Sequence, residues 1–364
     1  MSAKKRSALY IQPLLASYRA ELVEKLSRNF SLTILCGNSA ANSGFRTIAS
    51  ESAKVIEAPM KPLLGGRLLW QHNVRVTLRQ EKPELVLACA NIRDLTYWWL
   101  LFWARRNGVK VFSHGQGLYS KRHIGGLIAW LYRTAARLSH RYVCYTELSH
   151  QTMLAAGCPP EKLAVADNAI RFSVDAADIQ KTGTEQGVLF VGRLREECHL
   201  EQLIDAVARV RTRHPDAVLH VVGSGELEAE YRARFDHSWV IFHGAVYDDA
   251  RILEISRDCR VGCYPGNAGL SVVHYFALRL PPLVHGDMPA HMGPEPSYVQ
   301  DGVNGVIFSR DLKAEGIATA LEKIWDMPTE EYLSMSTLAF SQYMQLNTPS
   351  LGNKMVAILQ ENHH

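Results

Sequence analysis

The regular alternation of short apolar segments with helical patterns constrains this fold more than any other feature of the sequence. In the first half, segments rich in β-branched residues predict strands at 7–12, 32–36, 85–89, 109–113, 142–145 and 163–166. Helical periodicity predicts helices between them at 18–29, 94–107, 124–139 and 148–156. Because strand and helix alternate, the expected sheet is parallel and covered by helices on both faces.

The same alternation begins again after a polar, aperiodic stretch at 172–186. Strands are predicted there at 188–191, 218–222, 239–243, 260–264 and 282–284, with helices near 199–213, 225–235, 247–256 and 270–279. A chain of 364 residues exceeds what one hydrophobic core usually serves. We therefore predict two doubly wound, Rossmann-like α/β domains, 1–171 and 187–345, facing each other across a cleft. From residue 314 onward three helices are predicted, and the last, within 346–364, is expected to pack back on the first domain.

Composition excludes several classes of protein. The seven cysteines are scattered and form no C-x-x-C pair, which favours a reducing, cytoplasmic environment. The N-terminus lacks the cleavage site of an export signal, and the most apolar segment, 95–104, would cover only about half of a bilayer core as a helix. No His or Cys set has metal-ligand spacing, and the basic residues match no nucleic-acid-binding module. We expect no metal and no nucleic acid.

Charge is distributed unevenly along the chain. Residues 1–180 contain 24 Lys and Arg against 12 Asp and Glu, whereas residues 181–364 contain 16 against 24. Arg133, Arg137 and Arg141 recur every four residues beside an apolar stripe, and Lys121 and Arg122 precede them. This pattern is typical of a helix that meets an anionic membrane surface or a lipid-pyrophosphate acceptor. A core helix with a solvated polar face has the same pattern, so the alternative stays open.

Residues that follow the predicted strands are the first candidates for a site, because doubly wound sheets bind ligands beyond the carboxyl ends of their strands. Arg193 follows Gly192 directly after a strand, and its planar guanidinium suits a diphosphate, although a surface arginine beside a helix has the same setting. Gly223 and Gly225 would let the backbone approach a ligand closely. Any tight strand-to-helix turn looks the same, so the glycines also fit a purely structural turn. The third glycine and the downstream acid of a dinucleotide fingerprint are missing, which argues against a nicotinamide cofactor.

The segment after the predicted strand 260–264 is the predicted phosphate site. Gly266 and Gly269 precede a helix whose first amides, Leu270 and Ser271, and whose Ser271 hydroxyl would point at an anionic group. His274 lies one turn further and either faces the same ligand or bonds to neighbouring backbone.

The first half offers one candidate histidine. His114 lies at a strand end between Ser113 and Gly115, where it would polarise a sugar or acceptor hydroxyl or accept its proton. A structural histidine in a tight turn has the same pattern. Further acceptor-side candidates are Pro13, Tyr18, Arg19 and Gln116.

Five segments in order suggest a family: VLFVGRL (188–194), VVGSGELE (221–228), FHGAVYDD (242–249), YPGNAGLSVVHYFALRLPPLV (264–284) and DGVNGVIF (301–308). Over nearly its whole length the chain resembles the glycosyltransferases of the GT-B fold, specifically the family-4 group (group 1) of retaining enzymes.

The resemblance implies roles for residues in the second half. Arg193 would hold the donor diphosphate, but the lysine that normally follows five residues later is Cys198 here, which leaves Arg195 as an alternative cation. The family carries two glutamates with seven residues between them, and the matching positions here are Gly266 and His274, so the resemblance implies a divergent active site. Glu295 is a candidate replacement for the lost acid. The resemblance also places His114 near the transferred sugar and Asn168 near the linker.

The resemblance implies a retaining, metal-independent hexosyltransferase that uses a UDP- or GDP-linked sugar as substrate and no cofactor. The acceptor would be a glycan or a lipid-pyrophosphate-linked glycan in bacterial polysaccharide biosynthesis, reached in the cytoplasm or at the inner face of the plasma membrane. Two alternatives remain at this point: a nucleotide-sugar epimerase on the same fold, and a catalytically silent GT-B partner subunit.

Overall fold

A computed structural model describes residues 5–37, 53–119, 124–173 and 179–361. The chain divides into two compact units. The first unit comprises Met1–Asn168 and Pro349–His364, and the second comprises Ala169–Thr348. The boundary after Asn168 lies three residues before the predicted domain end at 171. The predicted linker 172–186 falls inside the second unit, and its residues 174–178 lie outside the described residues.

The first unit alternates strands and helices. Its strands are β1 (Ser7–Leu14), β2 (Ser31–Gly37), β3 (Lys54–Glu57), β4 (Met60–Leu63), β5 (Leu68–Gln71), β6 (Leu85–Cys89), β7 (Lys110–Gly115), β8 (Arg141–Cys144) and β9 (Leu163–Val165). Its helices before the boundary are α1 (Ala20–Asn29), α2 (Val74–Glu81), α3 (Leu95–Asn107), α4 (Gly126–Leu138) and α5 (Glu147–Ala155). In the described residues a parallel sheet has the order β3-β2-β1-β6-β7-β8-β9, and β4 and β5 form a separate antiparallel pair.

The second unit repeats this design. Its strands are β10 (Gly187–Val191), β11 (Val218–Val222), β12 (Val240–Gly244), β13 (Cys259–Cys263), β14 (Pro282–His285) and β15 (Val306–Phe308). Its helices are α6 (Leu200–Val210), α7 (Glu228–Arg234), α8 (Asp249–Ser256), α9 (Ser271–Ala277), α10 (Lys313–Trp325) and α11 (Thr329–Asn347). The strand order is β12-β11-β10-β13-β14-β15, all parallel. Both units are therefore doubly wound α/β domains, as predicted.

The last helix, α12 (Leu351–Gln360), belongs to the first unit. Its buried side chains, such as Met355 and Leu359, join the same hydrophobic cluster as Leu22 and Leu26 of α1. Glu21 of α1 binds the beginning of α12, where its carboxylate accepts hydrogen bonds from the Ser350 hydroxyl at 2.5 Å and the Gly352 N–H at 3.0 Å. Apolar packing and this polar contact together attach the end of the chain to the first sheet.

Four strands and one helix were not expected from the sequence: β3, β4, β5, β15 and α2. Strand β3 is mostly exposed and has no apolar run, and the three-residue β15 is too short to show periodicity. Pro62 lies within β4, where a missing N–H argues against a strand by the usual rules. Within the described part of the chain, every helix is too short or too polar to span a membrane.

Candidate active site

The order of the second sheet reverses between β10 and β13, so their carboxyl ends are neighbours. This is the position at which doubly wound sheets bind ligands. Arg193 lies two residues beyond β10 and is half-buried. Its buried Nε has no hydrogen-bond partner among the described residues, and no ion pair joins its side chain to any of them. A half-buried cation without a protein partner is available to an anionic ligand.

The glycines after β10 and β11 pack backbone against backbone. A Cβ atom on Gly223 would overlap the carbonyl oxygen of Gly192, and a Cβ on Gly225 would overlap that of Leu194. The Leu194 N–H also donates to the Ser224 carbonyl at 3.0 Å. Both glycines therefore allow a neighbouring loop to approach closely, and their contact with the donor stays a prediction.

Gly266, where the resemblance led us to expect a glutamate, packs against a neighbouring loop. A Cβ there would overlap the carbonyl oxygen of Glu197, while the adjacent Asn267 N–H donates to the same oxygen at 2.9 Å. A glutamate at position 266 would therefore require the two loops to separate. The loop between β13 and α9 lies directly on the turn that follows Arg193.

Cys198, predicted among the donor-binding residues, lies in the hydrophobic core of the second unit. Its side chain has no exposed surface, and burial raises the pKa of its thiol. Cys198 is thus removed from the list of ligand-contacting side chains. The alternative cation, Arg195, forms an ion pair with Glu197 at 3.5 Å and approaches the Met292 sulfur at 3.1 Å.

The beginning of α9 has unused backbone donors. The N–H groups of Leu270 and Ser271 have no acceptor among the described residues. The Glu295 carboxylate is buried, and its Oε2 lies 3.7 Å from the position that a Cβ on Gly269 would occupy. An acidic side chain therefore lies beside the entrance to α9.

His274 lies on α9 and faces other parts of the second unit. Its ring meets the Phe172 ring edge-on at 5.8 Å, and its Nδ1 has no hydrogen-bond partner among the described residues. Burial lowers the pKa of His274, although the nearby Asp249 carboxylate opposes the shift. The imidazole is therefore neutral at pH 7.

In the first unit, His114 lies near the end of β7, with Cys89 of β6 and Val143 of β8 as its register partners. The side chain is 1% exposed, and burial and the Arg19 cation hold the pKa of His114 well below its usual value. The Tyr145 ring lies 4.5 Å from the imidazole, and the Arg19 guanidinium lies 5.7 Å from that ring. The three side chains form one group at the carboxyl edge of the first sheet.

The other acceptor-side candidates lie around the same edge. Pro13 is half-buried in β1, the Tyr18 ring is partly exposed 5.1 Å from the Arg19 guanidinium, and Gln116 is exposed after β7. Asn168 is buried, and its N–H donates to the Tyr145 carbonyl at 2.7 Å.

Sequence reasoning missed three residues at these edges: Tyr145, His285 and His291. Tyr145 directly follows β8, and His285 ends β14. The rule that strand ends carry site residues would have found these two had it been applied to every strand, whereas His291 has no such signal. Among the described residues, no group of three or more His, Cys, Asp or Glu side chains is arranged to hold a metal ion.

Sequence models of two glycosyltransferase families match the chain. The model of glycosyltransferase family 4 matches residues 15–173, and that of glycosyl transferases group 1 matches residues 185–327. The chain is a group 1 glycosyltransferase of the GT-B fold. Its reaction is the transfer of a sugar from a nucleotide-sugar donor. No curated protein sequence matches this glycosyltransferase significantly.

Solved structures share the fold of this glycosyltransferase over almost the whole chain. HepE of Anabaena, in complex with UDP and glucose, is 14% identical with a TM-score of 0.68 and covers 98% of this chain and 100% of its own. A glycosyltransferase of Rickettsia africae is 13% identical with a TM-score of 0.70, with the same coverage. The pneumococcal O-GlcNAc transferase GtfA, in complex with UDP and GlcNAc, is 11% identical with a TM-score of 0.70 and covers 98% and 99%. The predicted GT-B fold is confirmed.

Proposed function

We propose that this glycosyltransferase transfers a hexose from a UDP- or GDP-linked donor, with retention of configuration and without a metal ion. The observation that carries the proposal is the unpartnered Arg193 guanidinium at the switch point of the second sheet. UDP is the first donor nucleotide to test, because the structures of HepE and GtfA hold it. Retention follows from the resemblance to the family-4 group.

Stabilisation of the departing diphosphate is the proposed catalytic role of the second unit. Negative charge builds on the diphosphate as the bond to the sugar breaks, and Arg193 would meet it together with the N–H groups of Leu270 and Ser271. Donors directed at developing charge contribute roughly 2.7–4 kcal/mol each to the lowering of a barrier. The permanently charged Arg193 side chain and the two N–H groups without a described acceptor support transfer without a metal ion.

Side chains of each unit are proposed to meet hydroxyl groups: Glu295 and His274 of the second unit meet the donor sugar, and His114 of the first unit meets the acceptor. Glu295 lies beside Gly269 and would accept a hydroxyl hydrogen bond in place of the acid that Gly266 cannot carry. His114 and His274 have depressed pKa values and are neutral at pH 7, so each would hydrogen-bond a hydroxyl group. A proton-donating role at neutral pH is disfavoured for both.

The proposed acceptor is a glycan or a lipid-pyrophosphate-linked glycan of bacterial polysaccharide biosynthesis. It would bind at the carboxyl edge of the first sheet, near Pro13, Tyr18, Arg19 and Gln116. The buried Arg19 cation and the excess of basic residues in positions 1–180 favour an anionic acceptor.

The test is thermal unfolding of the full chain with UDP, GDP, ADP, CMP or NAD, because a ligand that binds the folded state raises its apparent stability. We expect UDP or GDP alone to raise the Tm, and we expect the rise to disappear in Arg193→Ala. The activity with the selected nucleotide sugar should persist in EDTA. If no nucleotide raises the Tm, a silent partner subunit becomes the better explanation, and a free isomerised sugar without acceptor would identify an epimerase.

We further propose that α4 rests on an anionic membrane surface at the inner face of the plasma membrane. Leu127 is 70% exposed and Trp130 is 53% exposed, and Arg137, also exposed, lies two turns beyond Trp130 on the same helix. Exposed Leu and Trp beside basic residues are typical of interfacial helices. The basic Lys121 and Arg122 lie outside the described residues.

Vesicle sedimentation tests this proposal. We expect phosphatidylglycerol vesicles, but not phosphatidylcholine vesicles, to retain the protein at low salt, and we expect Leu127→Ser with Trp130→Ser to abolish the retention. The exposed Val76→Ser on α2 is the matched control. Equal retention of the protein by both kinds of vesicle would exclude this docking mode. Unchanged retention of the double variant by phosphatidylglycerol vesicles would exclude it as well.

A further inference from the structure

Residues 264–270, here called the donor loop, connect β13 to α9 and are held from two sides. On one side the Asn267 N–H donates to the Glu197 carbonyl at 2.9 Å. On the other side Ala268 exchanges two hydrogen bonds with the segment after β14. The Ala268 N–H donates to Nδ1 of His291 at 3.2 Å, and the Ala268 carbonyl accepts from the Met292 N–H at 3.0 Å. The position of the donor loop thus depends on an imidazole.

These contacts define the tautomer of His291. Because Nδ1 accepts a hydrogen bond, the ring proton is on Nε2, which donates to the His285 carbonyl at 2.9 Å. The His285 ring stacks on His291 with 3.9 Å between centroids and an interplanar angle of 6°. Its own Nδ1 accepts from the Asp287 N–H at 3.2 Å. The Asp287 carboxylate is held by Arg310 at 2.9 Å.

Burial keeps both rings neutral. His291 is 4% exposed and His285 is 1% exposed, and burial lowers their pKa values to about 4 and about 3. A proton on Nδ1 of His291 would break its bond with Ala268. At neutral pH that proton is absent, so the contact with the donor loop persists.

We infer that His291, supported by the stacked His285, positions the donor loop for binding of the nucleotide sugar. This inference rests on the proposed function, which places the donor diphosphate at this loop. An apolar side chain of similar size would fill the same space, but it would leave the buried Ala268 N–H without an acceptor. The hydrogen bond, and not the volume of the ring, is therefore the feature to test.

Two substitutions at position 291 separate the effect of the hydrogen bond from the effect of side-chain volume. The Oδ1 of His291→Asn can take the place of the imidazole Nδ1 and accept from Ala268, whereas His291→Leu fills the space without accepting. Amide exchange in the nucleotide-free full chain is the first readout. We expect exchange across the donor loop to be about tenfold faster in His291→Leu, the effect of losing one buried hydrogen bond, and within about threefold of wild type in His291→Asn.

The second readout is UDP binding by calorimetry, with Arg193→Ala alongside. We expect the Kd for UDP and the KM for the donor to rise about tenfold in His291→Leu and to recover within about threefold in His291→Asn. The KM for the acceptor should stay unchanged in both. A purely structural role would instead change both variants in proportion to their loss of Tm.

Failure of the inference about His291 can be told apart from failure of the proposed function on which it rests. Unchanged exchange in His291→Leu overturns the inference, and so does faster exchange with an unchanged UDP affinity. If wild type binds neither UDP nor GDP, or if Arg193→Ala binds like wild type, the proposed function fails. The exchange experiment then still supports or overturns the ordering of the donor loop by His291.

Discussion

The carboxyl edges of the two sheets are built differently, although both sheets have the same doubly wound order. In the second unit, glycines allow three strand-end loops to pack backbone against backbone, and the cation beside them, Arg193, is left without a described partner. In the first unit Gly37 makes a similar approach to the Pro13 carbonyl, but side chains dominate the edge. The buried His114 imidazole, the half-buried Tyr145 ring and the buried Arg19 guanidinium form one group there. An edge lined by closely packed backbone suits a diphosphate, which is the same in every nucleoside diphosphate sugar. An edge lined by side chains can be altered residue by residue to fit different acceptors.

An added methyl group should be poorly tolerated at the carboxyl edge of the second sheet. Gly223→Ala places a Cβ against the Gly192 carbonyl at a φ of +142°, and we expect it to lower the free energy of unfolding by about 3 kcal/mol or more. Gly126→Ala in the first unit meets no atom within 4 Å and lies in a helix, so it should be neutral or stabilising by up to about 1 kcal/mol. Urea unfolding measures both. A small cost for Gly223→Ala would mean that the loops are not closely packed.

Arg193→Ala should separate activity from stability. We expect kcat/KM to fall at least about tenfold, or roughly 1.4 kcal/mol, with an unchanged urea midpoint, because no described residue relies on the guanidinium. Arg209→Ala, on the exposed face of α6, should change neither quantity. A lower midpoint without loss of turnover would make Arg193 a structural residue and remove the contrast between the two edges.

Acid should destabilise the second unit before the first. Five histidines of the second unit have depressed pKa values, and so does His114 of the first; the five are His220, His243, His274, His285 and His291. A depressed pKa means that the unfolded state binds protons more readily, so stability is present above about pH 6.5 and is lost as the pH falls towards 4. Amide exchange at pH 7 and pH 5 measures each unit separately. Equal acceleration of amide exchange in the two units would contradict the prediction that acid destabilises the second unit first.

The smallest expected effect concerns the attachment of α12 to the first unit. Glu21→Gln should cost about 1 kcal/mol, because a neutral amide accepts less strongly from the Ser350 hydroxyl and the Gly352 N–H. Glu24→Gln, on the same helix, loses only an exposed pair with Arg28 and should be near neutral. Equal midpoints for the two variants would mean that apolar packing alone holds α12.

The sequence predicted the alternation of both units because helix and strand periodicities are local properties, and α6 and β10 follow them within a few residues. It singled out Arg193, two residues beyond β10, because strand ends in doubly wound sheets have a known relation to ligands. The role of Arg193 in diphosphate binding stays a prediction. The sequence could not predict that Cys198 points into the core or that Gly266 meets Glu197, because both depend on the contact of two loops that are distant in sequence. Strand β3 was not predicted because its side chains are mostly exposed, so its sequence has no hydrophobic pattern.

The return of α12 to the first unit has a consequence for the order of events during synthesis. The second unit is contiguous in the chain, so all of its residues have been made before the ribosome reaches Pro349. The first unit begins earlier but lacks Leu351, Met355 and Leu359 of its hydrophobic cluster until these residues have been added. Domains fold as units during synthesis. The amino-terminal unit of this enzyme therefore begins first and completes its core only after every residue of the second unit has been made.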